Sequence, residues 1–370
     1  MKKLLSIVLL ILVMVSDGYS QGRQFPRPGI EFNPPRYLCY RTDSEIVADG
    51  KLNEMIWQNA EWTNYFVDIE GNLKPPSRLQ TRAKMLWDEK YLYIAAEMEE
   101  PDIWATLNQR DTIIFYDNDF EIFIDPDGDT HKYYELEINA NGTAWDLLLI
   151  KPYRDASSEQ VAFNSWNING LIVGVDIDGT INNPNDRDRG WTCEIAVPWA
   201  ALRESFSNQS TPKPGEQWRV NFSRVEWKTK NVNGKYEKES NPNTKKPYPE
   251  DNWVWAPTGL INIHYPEMWG YVQLSDKIAG EAEDSLLMKN SETAKWALRK
   301  LYYGEKSYYI NHQKYTDNIS KLNLPEEKIE GYIWPPEIEA TTDLFEASIK
   351  SRDGKETISI MNDGRIIIQK

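Results

Sequence analysis

The chain is poor in the residues on which much enzyme chemistry depends. Among its 370 residues there are only three histidines and two cysteines. This scarcity leaves little material for histidine-based catalysis, for a zinc site or for a disulfide-rich scaffold. The sequence also lacks Gly-x-Ser-x-Gly, His-Glu-x-x-His and a glycine-rich phosphate-binding loop. It therefore favours a function that does not need these groups.

Positive charge is also in short supply. Lys and Arg number 42 against 57 Asp and Glu, which gives a net charge of −15 at pH 7. An acidic protein repels phosphate backbones and anionic lipid headgroups. We therefore expect neither nucleic acid nor a membrane surface as the partner.

Only the start of the chain contains a long apolar run. Residues 1–3 are basic, residues 4–15 are apolar, and Gly18 and Ser20 are small. This pattern is typical of a secretory signal peptide. We expect residues 1–20 to be removed before Gln21. The mature protein would be soluble, without a lipid anchor or a membrane-spanning segment, and would reside in the periplasm or outside the cell.

What the chain has in abundance is polar aromatic residues, with 15 Trp and 20 Tyr against 10 Phe. Such side chains can stack on a ligand and hydrogen-bond to it at the same time. The two cysteines, Cys39 and Cys193, could form a disulfide in an exported protein. Cys193 also lies in an alternating apolar pattern, where it could simply be a small buried residue. The sequence leaves both interpretations open.

The hydrophobic pattern divides the chain into three parts after the signal peptide. Residues 21–36 are rich in Pro and Gly and form a lead-in segment. Residues 37–276 show period-2 alternation interrupted by turn residues, which predicts an all-β antiparallel sandwich of jelly-roll or immunoglobulin-like type. Residues 277–370 contain a helical pattern from Ser291 to Tyr309 and a hairpin signal at residues 362–364. We expect a small C-terminal α+β unit there.

Five segments of the middle part carry a more specific pattern. They are residues 47–60 (VADGKLNE, then Trp57 and Ala60), 84–93 (KMLWDEKYLY), 118–125 (NDFEIFID), 190–199 (GWTCEIAVPW) and 264–274 (HYPEMWGYVQL). Together and in this order they resemble the family 9 carbohydrate-binding module of exported bacterial proteins. The resemblance implies a DOMON-like β-sandwich that binds a glycan without turning it over, in support of polysaccharide breakdown or uptake.

Strand parity suggests where such a ligand would bind. If Phe120 and Ile122 face the core, Glu121 faces the opposite side of the sheet, and the next strand adds Glu137 and Asn139 to that exposed face. Carboxylates and amides form hydrogen bonds with sugar hydroxyls. Because an acidic face repels uronic acids, we expect a neutral oligo- or polysaccharide.

The resemblance implies further ligand contacts. In the family two aromatic residues enclose a sugar ring. The first position corresponds here to Phe115, with Tyr116 beside it, and the second to Trp255, although Trp253 competes for this role. Arg224 is a further candidate, although its parity with apolar neighbours requires a bulge or a buried partner. The remaining tryptophans of clear apolar patterns are expected in the core, namely Trp57, Trp87 and Trp191.

Two acidic stretches raise the question of a metal. Asp125, Asp127 and Asp129 have the spacing of calcium ligands, and a second stretch is rich in side-chain oxygens, but neither has the full EF-hand pattern. An ordinary Asp-rich turn is the favoured interpretation. The resemblance keeps structural calcium as an option, and no other cofactor is expected. The second stretch comprises Asp176, Asp178, Asn182 and Asp186.

Two other functions compete with glycan binding. Glycoside hydrolysis would use Glu121 with Glu135 or Glu137, although an open sheet face lacks the cleft that usually raises the pKa of a catalytic acid. Haem binding, known in some DOMON-like sandwiches, would depend on His131 and His264, neither of which lies in a Cys-x-x-Cys-His motif. The chain is therefore more consistent with a binding protein than with an enzyme.

Overall fold

The computed structural model describes residues 23–156, 158–205 and 211–370. The expected signal peptide and its cut before Gln21 lie outside the described residues. Within the described part, thirteen strands form one large sheet and two more form a hairpin. In chain order these fifteen strands are β1 (Arg36–Arg41), β2 (Val67–Asp68), β3 (Thr81–Trp87), β4 (Tyr91–Glu99), β5 (Asp119–Asp125), β6 (Tyr133–Asn139), β7 (Ala144–Leu149), β8 (Ala162–Phe163), β9 (Ile172–Asp178), β10 (Gly190–Pro198), β11 (Gln217–Glu226), β12 (Thr229–Val232), β13 (Lys235–Lys238), β14 (Asp251–Val254) and β15 (Gly270–Ile278).

The large sheet folds over on itself to make the expected sandwich. One half has the strand order β8-β7-β6-β5-β11-β15, and the other has β3-β4-β10-β9. Strand β1 joins the halves by pairing in parallel with β15 on one side and β3 on the other. The other pairings of the sandwich are antiparallel, so the sheet is mixed. The two parallel pairings of β1 were not predicted from the sequence, which indicated antiparallel strands throughout.

Aromatic side chains fill the space between the two halves. Trp199 makes edge contacts with Trp87 at a ring distance of 6.3 Å and with Trp218 at 5.3 Å. The expected burial of Trp57, Trp87 and Trp191 is confirmed. Trp87 and Trp191 lie between the two halves, as alternation indicated, whereas Trp57 packs in a separate apolar cluster with Tyr93 and Ala95.

Both cysteines are buried and free. Cys39 lies on β1 and Cys193 on β10, and each is part of the core between the two halves. Burial raises the pKa of the Cys193 thiol, so this thiol stays protonated at neutral pH. The interpretation of Cys193 as a small buried hydrophobic residue agrees with the structure, and the disulfide interpretation does not.

The C-terminal part consists of one long helix packed on a small antiparallel sheet. A short helix, α1 (Met55–Asn59), occurs earlier in the chain, and the long helix is α2 (Asn290–His312). Its apolar stripe packs on the sheet, as the spacing of Ala294, Leu298 and Leu301 predicts. The four strands are β16 (Glu337–Ala340), β17 (Phe345–Lys350), β18 (Thr357–Met361) and β19 (Ile366–Gln369). Strands β18 and β19 form the hairpin expected around residues 362–364.

This C-terminal unit is held against the sandwich by buried charges. Glu267, just before β15, forms ion pairs with Arg154 at 2.9 Å and Arg299 at 3.7 Å. Although burial alone would raise it, these two guanidinium groups hold the pKa of Glu267 at about 2. The lead-in segment also joins the contact, since Phe32 stacks on Trp296 of α2 at 4.1 Å. The division of the chain into separate domains stays a prediction.

Candidate functional site

A pocket of about 290 Å³ opens on the outer face of strands β5, β6 and β7. This is the face opposite the sandwich core, where parity placed the candidate side chains. The floor carries Glu121, Glu135 and Glu137, with Trp145 beside them on β7. The walls come from loops that connect other strands. The complete lining is Ile69, Phe115, Glu121, Glu135, Glu137, Trp145, Tyr153, Val225, Glu250, Asn252, Ile261, Asn262, Ile263 and His264.

The floor residues form one row across four strands. Glu121 of β5 lies directly opposite Glu137 of β6, and Glu137 lies opposite Trp145 of β7. On the other side, Ser223 of β11 lies opposite Glu121 and hydrogen-bonds to its side chain. The predicted neighbourhood of Glu121 and Glu137 is therefore present in the structure.

The expectation that this face is exposed was wrong. Glu121 is only 6% exposed and Glu137 only 1%. The segment just before β5 (residues 113–116) and a loop distant in sequence (residues 261–264) cover the sheet beside the pocket. A row of glutamates that alternation alone would assign to solvent is thus held in a sheltered site.

Burial controls the acid–base properties of these carboxyl groups. It raises the pKa of Glu121 to about 7. The pKa of Glu137 is raised well above its ordinary value, first by burial and then by the charges of Asp119, Glu121 and Glu135. Within the described residues, none of these four carboxylates forms an ion pair with Lys or Arg. The site therefore contains four carboxyl groups that are not paired with a positively charged side chain of the described residues.

Three aromatic residues and one imidazole line the pocket. Phe115 sits in a 3₁₀ turn (Ile114–Tyr116), and its backbone N–H donates to Glu137 Oε2 at 2.9 Å. Tyr153 is exposed and meets His264 edge-on at a ring distance of 4.7 Å. His264 Nδ1 is 3.0 Å from the Tyr133 hydroxyl. Burial and Arg154 lower the pKa of His264 to about 3, so the ring is neutral.

Trp145 supplies a buried hydrogen-bond donor to the pocket lining. Its side chain is 8% exposed, and the indole Nε1 has no hydrogen-bond partner. A buried N–H group without a partner costs about 1–3 kcal/mol. A ligand oxygen in the pocket would remove that cost.

The structure separates the two aromatic candidates that the sequence placed side by side. Phe115 lines the pocket, whereas its neighbour Tyr116 is 52% exposed and lies outside the lining. The two rings touch at 4.8 Å. Of the pair, only Phe115 is in a position to contact a ligand in the pocket.

Asn139 lies on the predicted face but outside the pocket lining. Its Nδ2 donates to the carbonyl of Leu107 at 2.8 Å and to Asp117 Oδ2 at 3.0 Å. Its Oδ1 accepts hydrogen bonds from the N–H groups of Asn141 and Thr143. The amide is fully engaged in holding two loops, so the structure does not bring it to the site.

Arg224 points to the opposite side of its sheet, as its parity with apolar neighbours required. It is 1% exposed and forms ion pairs with Glu100 at 2.8 Å and Glu226 at 2.9 Å. These carboxylates are the buried partners that its position demands. The structure therefore places Arg224 in a buried ion cluster and not in the pocket.

Trp255 is a core residue as well. It is buried, and its ring lies against Phe222 and Tyr37 between the halves of the sandwich. The ring also covers Gly270 so closely that a Cβ atom there would come within 2.4 Å of it. Its competitor Trp253 is buried in the same core. Neither residue supplies the second wall of the pocket.

The most decisive observation about identity is a match to a known family. Residues 47–277 match the family described as carbohydrate family 9 binding domain-like. The chain belongs to this family. The matched region contains every residue of the pocket lining and covers the sandwich from the segment after β1 to β15, leaving out β1 itself.

Similar proteins share only parts of their length with this chain. An endo-1,4-β-xylanase A from Thermoanaerobacterium saccharolyticum is 26% identical over 159 residues, 43% of this chain and 11% of that protein. Exoglucanase XynX from Acetivibrio thermocellus is 24% identical over 156 residues, 42% of this chain and 12% of that protein. The chain thus spans 11–12% of the length of these curated relatives.

Among solved structures, the chain is similar to a family 9 carbohydrate-binding module from Caldicellulosiruptor kristjanssonii in complex with cellotriose. The two are 15% identical, with a TM-score of 0.41 over 67% of this chain and 98% of that one. Within the described residues of the present family 9 protein, no helix is both long and apolar enough to cross a membrane.

The first acidic stretch of this family 9 protein forms a tight turn after β5. Asp125, Asp127 and Asp129 bring carboxylate oxygens within 4.8 Å of one another. Asp125 also accepts the N–H groups of Gly128 and Thr130. This is the bonding of an Asp-rich turn, and calcium binding there stays a prediction.

The second acidic stretch is used differently. Asp178 pairs with Arg189 at 2.6 Å, and the side chain of Asn182 exchanges two hydrogen bonds with the backbone of Ala105. Asp186 accepts the Thr180 hydroxyl at 2.7 Å. In the part of the chain that the structure describes, these oxygens do not form a cluster with Asp176.

Several pocket residues were not predicted from the sequence, among them Trp145, Tyr153 and His264. Trp145 could have been found, because Asn141-Gly142 is a hairpin signal that sets the register of β7 against β6. That register puts Trp145 opposite Glu137. Tyr153 and His264 reach the pocket from loops, where no periodicity indicates direction.

Proposed function

We propose that this pocket binds the end of a neutral glycan without hydrolysing it. The observation that carries the proposal is the unpartnered Nε1 of Trp145 in a pocket lined by carboxylates and aromatic rings. Its volume is near the lower limit of the range of about 300–1,000 Å³ that is usual for ligand pockets. A pocket of this size suits the end of a glycan better than a long segment of it.

Each part of the pocket has a counterpart on a sugar. Sugar hydroxyls donate hydrogen bonds to the oxygens of Glu121 and Glu137, and a ring or hydroxyl oxygen accepts one from Trp145 Nε1. The apolar C–H face of a sugar packs on the ring of Phe115 or Tyr153. Glu121, Phe115 and Glu137 from the original prediction thus remain in the proposed site. Trp145 and Tyr153 replace Trp255 and Arg224.

The charge of the lining supports a neutral ligand. The lining contains four glutamates and neither Lys nor Arg. A uronic acid in this pocket would bury its carboxylate where the lining offers no Lys or Arg to pair with it, and burial of an unpaired charge is strongly unfavourable. We therefore propose that anionic polysaccharides are excluded.

The proposed cellular role is based on the family and on the apolar run of residues 4–15, which is typical of a signal peptide. The proposal is that the protein is exported and holds glycans during their breakdown or uptake. Because the chain spans only a small part of its xylanase and exoglucanase relatives, their activities are not transferred to it.

Glycoside hydrolysis is the second candidate, and one observation favours it. The pKa of Glu121 is raised to about 7 by burial, which suits a general acid. However, Glu121 and Glu137 lie side by side on adjacent strands, so both would contact a ligand from the same side. Hydrolysis needs two carboxyl groups that flank the scissile bond. The haem hypothesis has less support, because both histidines already have polar neighbours. His264 Nδ1 is hydrogen-bonded to the Tyr133 hydroxyl, and His131 Nε2 lies 3.3 Å from Asp363 Oδ2.

The proposal is tested by measuring binding to a panel of neutral and anionic glycans that includes glucose and cellotriose. Phe115→Ala should lower the affinity at least tenfold, whereas Tyr116→Ala, the matched control beside it, should leave it unchanged. Incubation with the bound glycan should release no reducing ends. The absence of binding across the panel would refute the proposal. Release that Glu121→Gln abolishes would favour the hydrolase.

A further inference from the structure

Three carboxylates converge at the edge of the pocket floor. Asp119, Glu121 and Glu137 each place one oxygen within 4.8 Å of the others. All three are buried, and Asp119 is 0% exposed. Asp119 shares the outer face of β5 with Glu121 but does not line the pocket, so it lies beside the part that a ligand would occupy.

One oxygen of this cluster has no partner. Asp119 Oδ1 accepts a long hydrogen bond of 3.3 Å from the Val225 N–H, and Asp119 Oδ2 has no hydrogen-bond partner among the described residues. An ionised carboxylate in an apolar environment is very costly unless it is paired or bound to a metal. No Lys or Arg within the described residues forms an ion pair with any of the three groups.

We propose that Asp119, Glu121 and Glu137 bind a divalent cation of the calcium type. Calcium takes six to eight oxygen ligands at about 2.3–2.6 Å. Two oxygens bound to the same ion at these distances lie no more than about 5 Å apart, which agrees with the observed separations. Three carboxylates offer up to six oxygens, and Asp119 Oδ2 is free to be one of them.

A metal ion explains the arrangement better than a positively charged sugar does. An amino sugar would have to bring its ammonium group to Asp119, which has no exposed surface and lies outside the pocket lining. A single ion is compact enough to sit between the three side chains. It would also remove the repulsion between Glu121 and Glu137, which face each other directly across two strands.

The site would also affect the ligand pocket, and this part rests on the proposed function. Glu121 and Glu137 belong both to the cluster and to the pocket floor. A bound ion would fix their orientation and reduce the negative charge that a sugar meets. Metal binding itself needs no sugar, so the failure of one proposal can be distinguished from the failure of the other.

The experiment measures metal binding by the full mature chain after dialysis against a chelator. The chain carries Asp127→Asn, which removes a ligand from the separate turn of Asp125 and Asp129. Calcium is titrated by calorimetry, and terbium is titrated with excitation of tryptophan, because Trp145 adjoins Glu137. We expect one saturable site, sensitised terbium emission and a higher melting temperature with calcium.

Asp119→Asn keeps the shape of the side chain and removes its charge, and should weaken calcium binding at least tenfold. Glu137→Gln should also weaken calcium binding at least tenfold, and it replaces Asp119→Asn in the experiment if that variant does not fold. Trp145→Phe should reduce terbium emission without changing the affinity for calcium. Absence of saturable binding at millimolar calcium would overturn the proposal and show that protons neutralise the cluster. Binding that neither Asp119→Asn nor Glu137→Gln weakens would overturn it equally.

Discussion

Replacing Arg224 by Met is the sharpest test of how the structure assigns this residue. The guanidinium group donates four hydrogen bonds, to Thr81 Oγ1 at 3.0 Å, the Glu99 carbonyl at 2.8 Å, Glu100 at 2.8 Å and Glu226 at 2.9 Å. Methionine has a similar length but carries no charge, so Glu100 loses its ion pair and Glu226 keeps only the longer one with Arg78 at 3.6 Å. Removing one member of a buried ion cluster costs about 3–5 kcal/mol.

That cost is large for a domain of this size. With a change of about 2–4 °C in melting temperature per kcal/mol, Arg224→Met should melt ~6–20 °C lower than the parent. The control is Arg189→Met, whose partner Asp178 and own side chain are both mainly exposed. Surface pairs contribute about 0–1 kcal/mol, so the control should melt within about 4 °C of the parent.

The loss should also depend on pH. Burial, followed by the charge of Glu100, already raises the pKa of Glu226 well above its ordinary value, and removal of Arg224 raises it further. A carboxyl group whose pKa is raised on folding stabilises the protein below its unfolded pKa, and that contribution is lost as pH rises. The difference between Arg224→Met and the parent should therefore be smaller at pH 5 than at pH 8.

Denaturant unfolding and calorimetric titration with a bound glycan check this reasoning together. The folded variant should keep the affinity of the parent, because Arg224 lies outside the pocket. A variant with normal stability and lost glycan affinity would refute the structural assignment and restore the ligand contact that the family resemblance implied.

Three further predictions concern the pocket and the contact with the C-terminal unit. Trp145→Phe removes one hydrogen bond that contributes about 0.5–1.5 kcal/mol, so calorimetry should show roughly a twofold to tenfold loss of glycan affinity. An unchanged affinity would show that the indole N–H does not contact the sugar. His264, with a pKa of about 3, should show no NMR titration between pH 5 and 8, and a midpoint near 6.5 would contradict its burial beside Arg154. Glu267 has a pKa of about 2, so it stabilises the fold above its unfolded pKa near 4.5, and this stabilisation is lost as the pH falls towards 2. Glu267→Gln should therefore lower the melting temperature at pH 7 and make it less dependent on acid pH. A melting profile like that of the parent would contradict the role of its ion pairs.

Much of the sandwich could be predicted because strand alternation is a local property. The inward-facing residues of β5 and β6 were identified from parity, and the helix predicted from Ser291 to Tyr309 differs from α2 by only a few residues at its ends. The parallel pairings of β1 could not be predicted. They depend on which distant strands close the sheet, and no local pattern reports that.

The candidate site was predicted less completely, and the reason is burial by loops. Parity correctly put Glu121 and Glu137 on one face, but it could not show that residues 261–264 cover that face. Trp255 was misplaced because an aromatic residue near the closing strand fits either a ligand wall or the core. The contact with Gly270 that decides the question is visible only in three dimensions.

The position of β1 has a consequence for how the chain folds during synthesis. Tyr37 of β1 pairs with Val272 of β15. The strand β1 therefore cannot form this pairing until β15, the last strand of the sandwich, has been synthesised. Contacts over such a separation form late and slowly. Until β15 has emerged, the two halves lack the strand pairing that joins them.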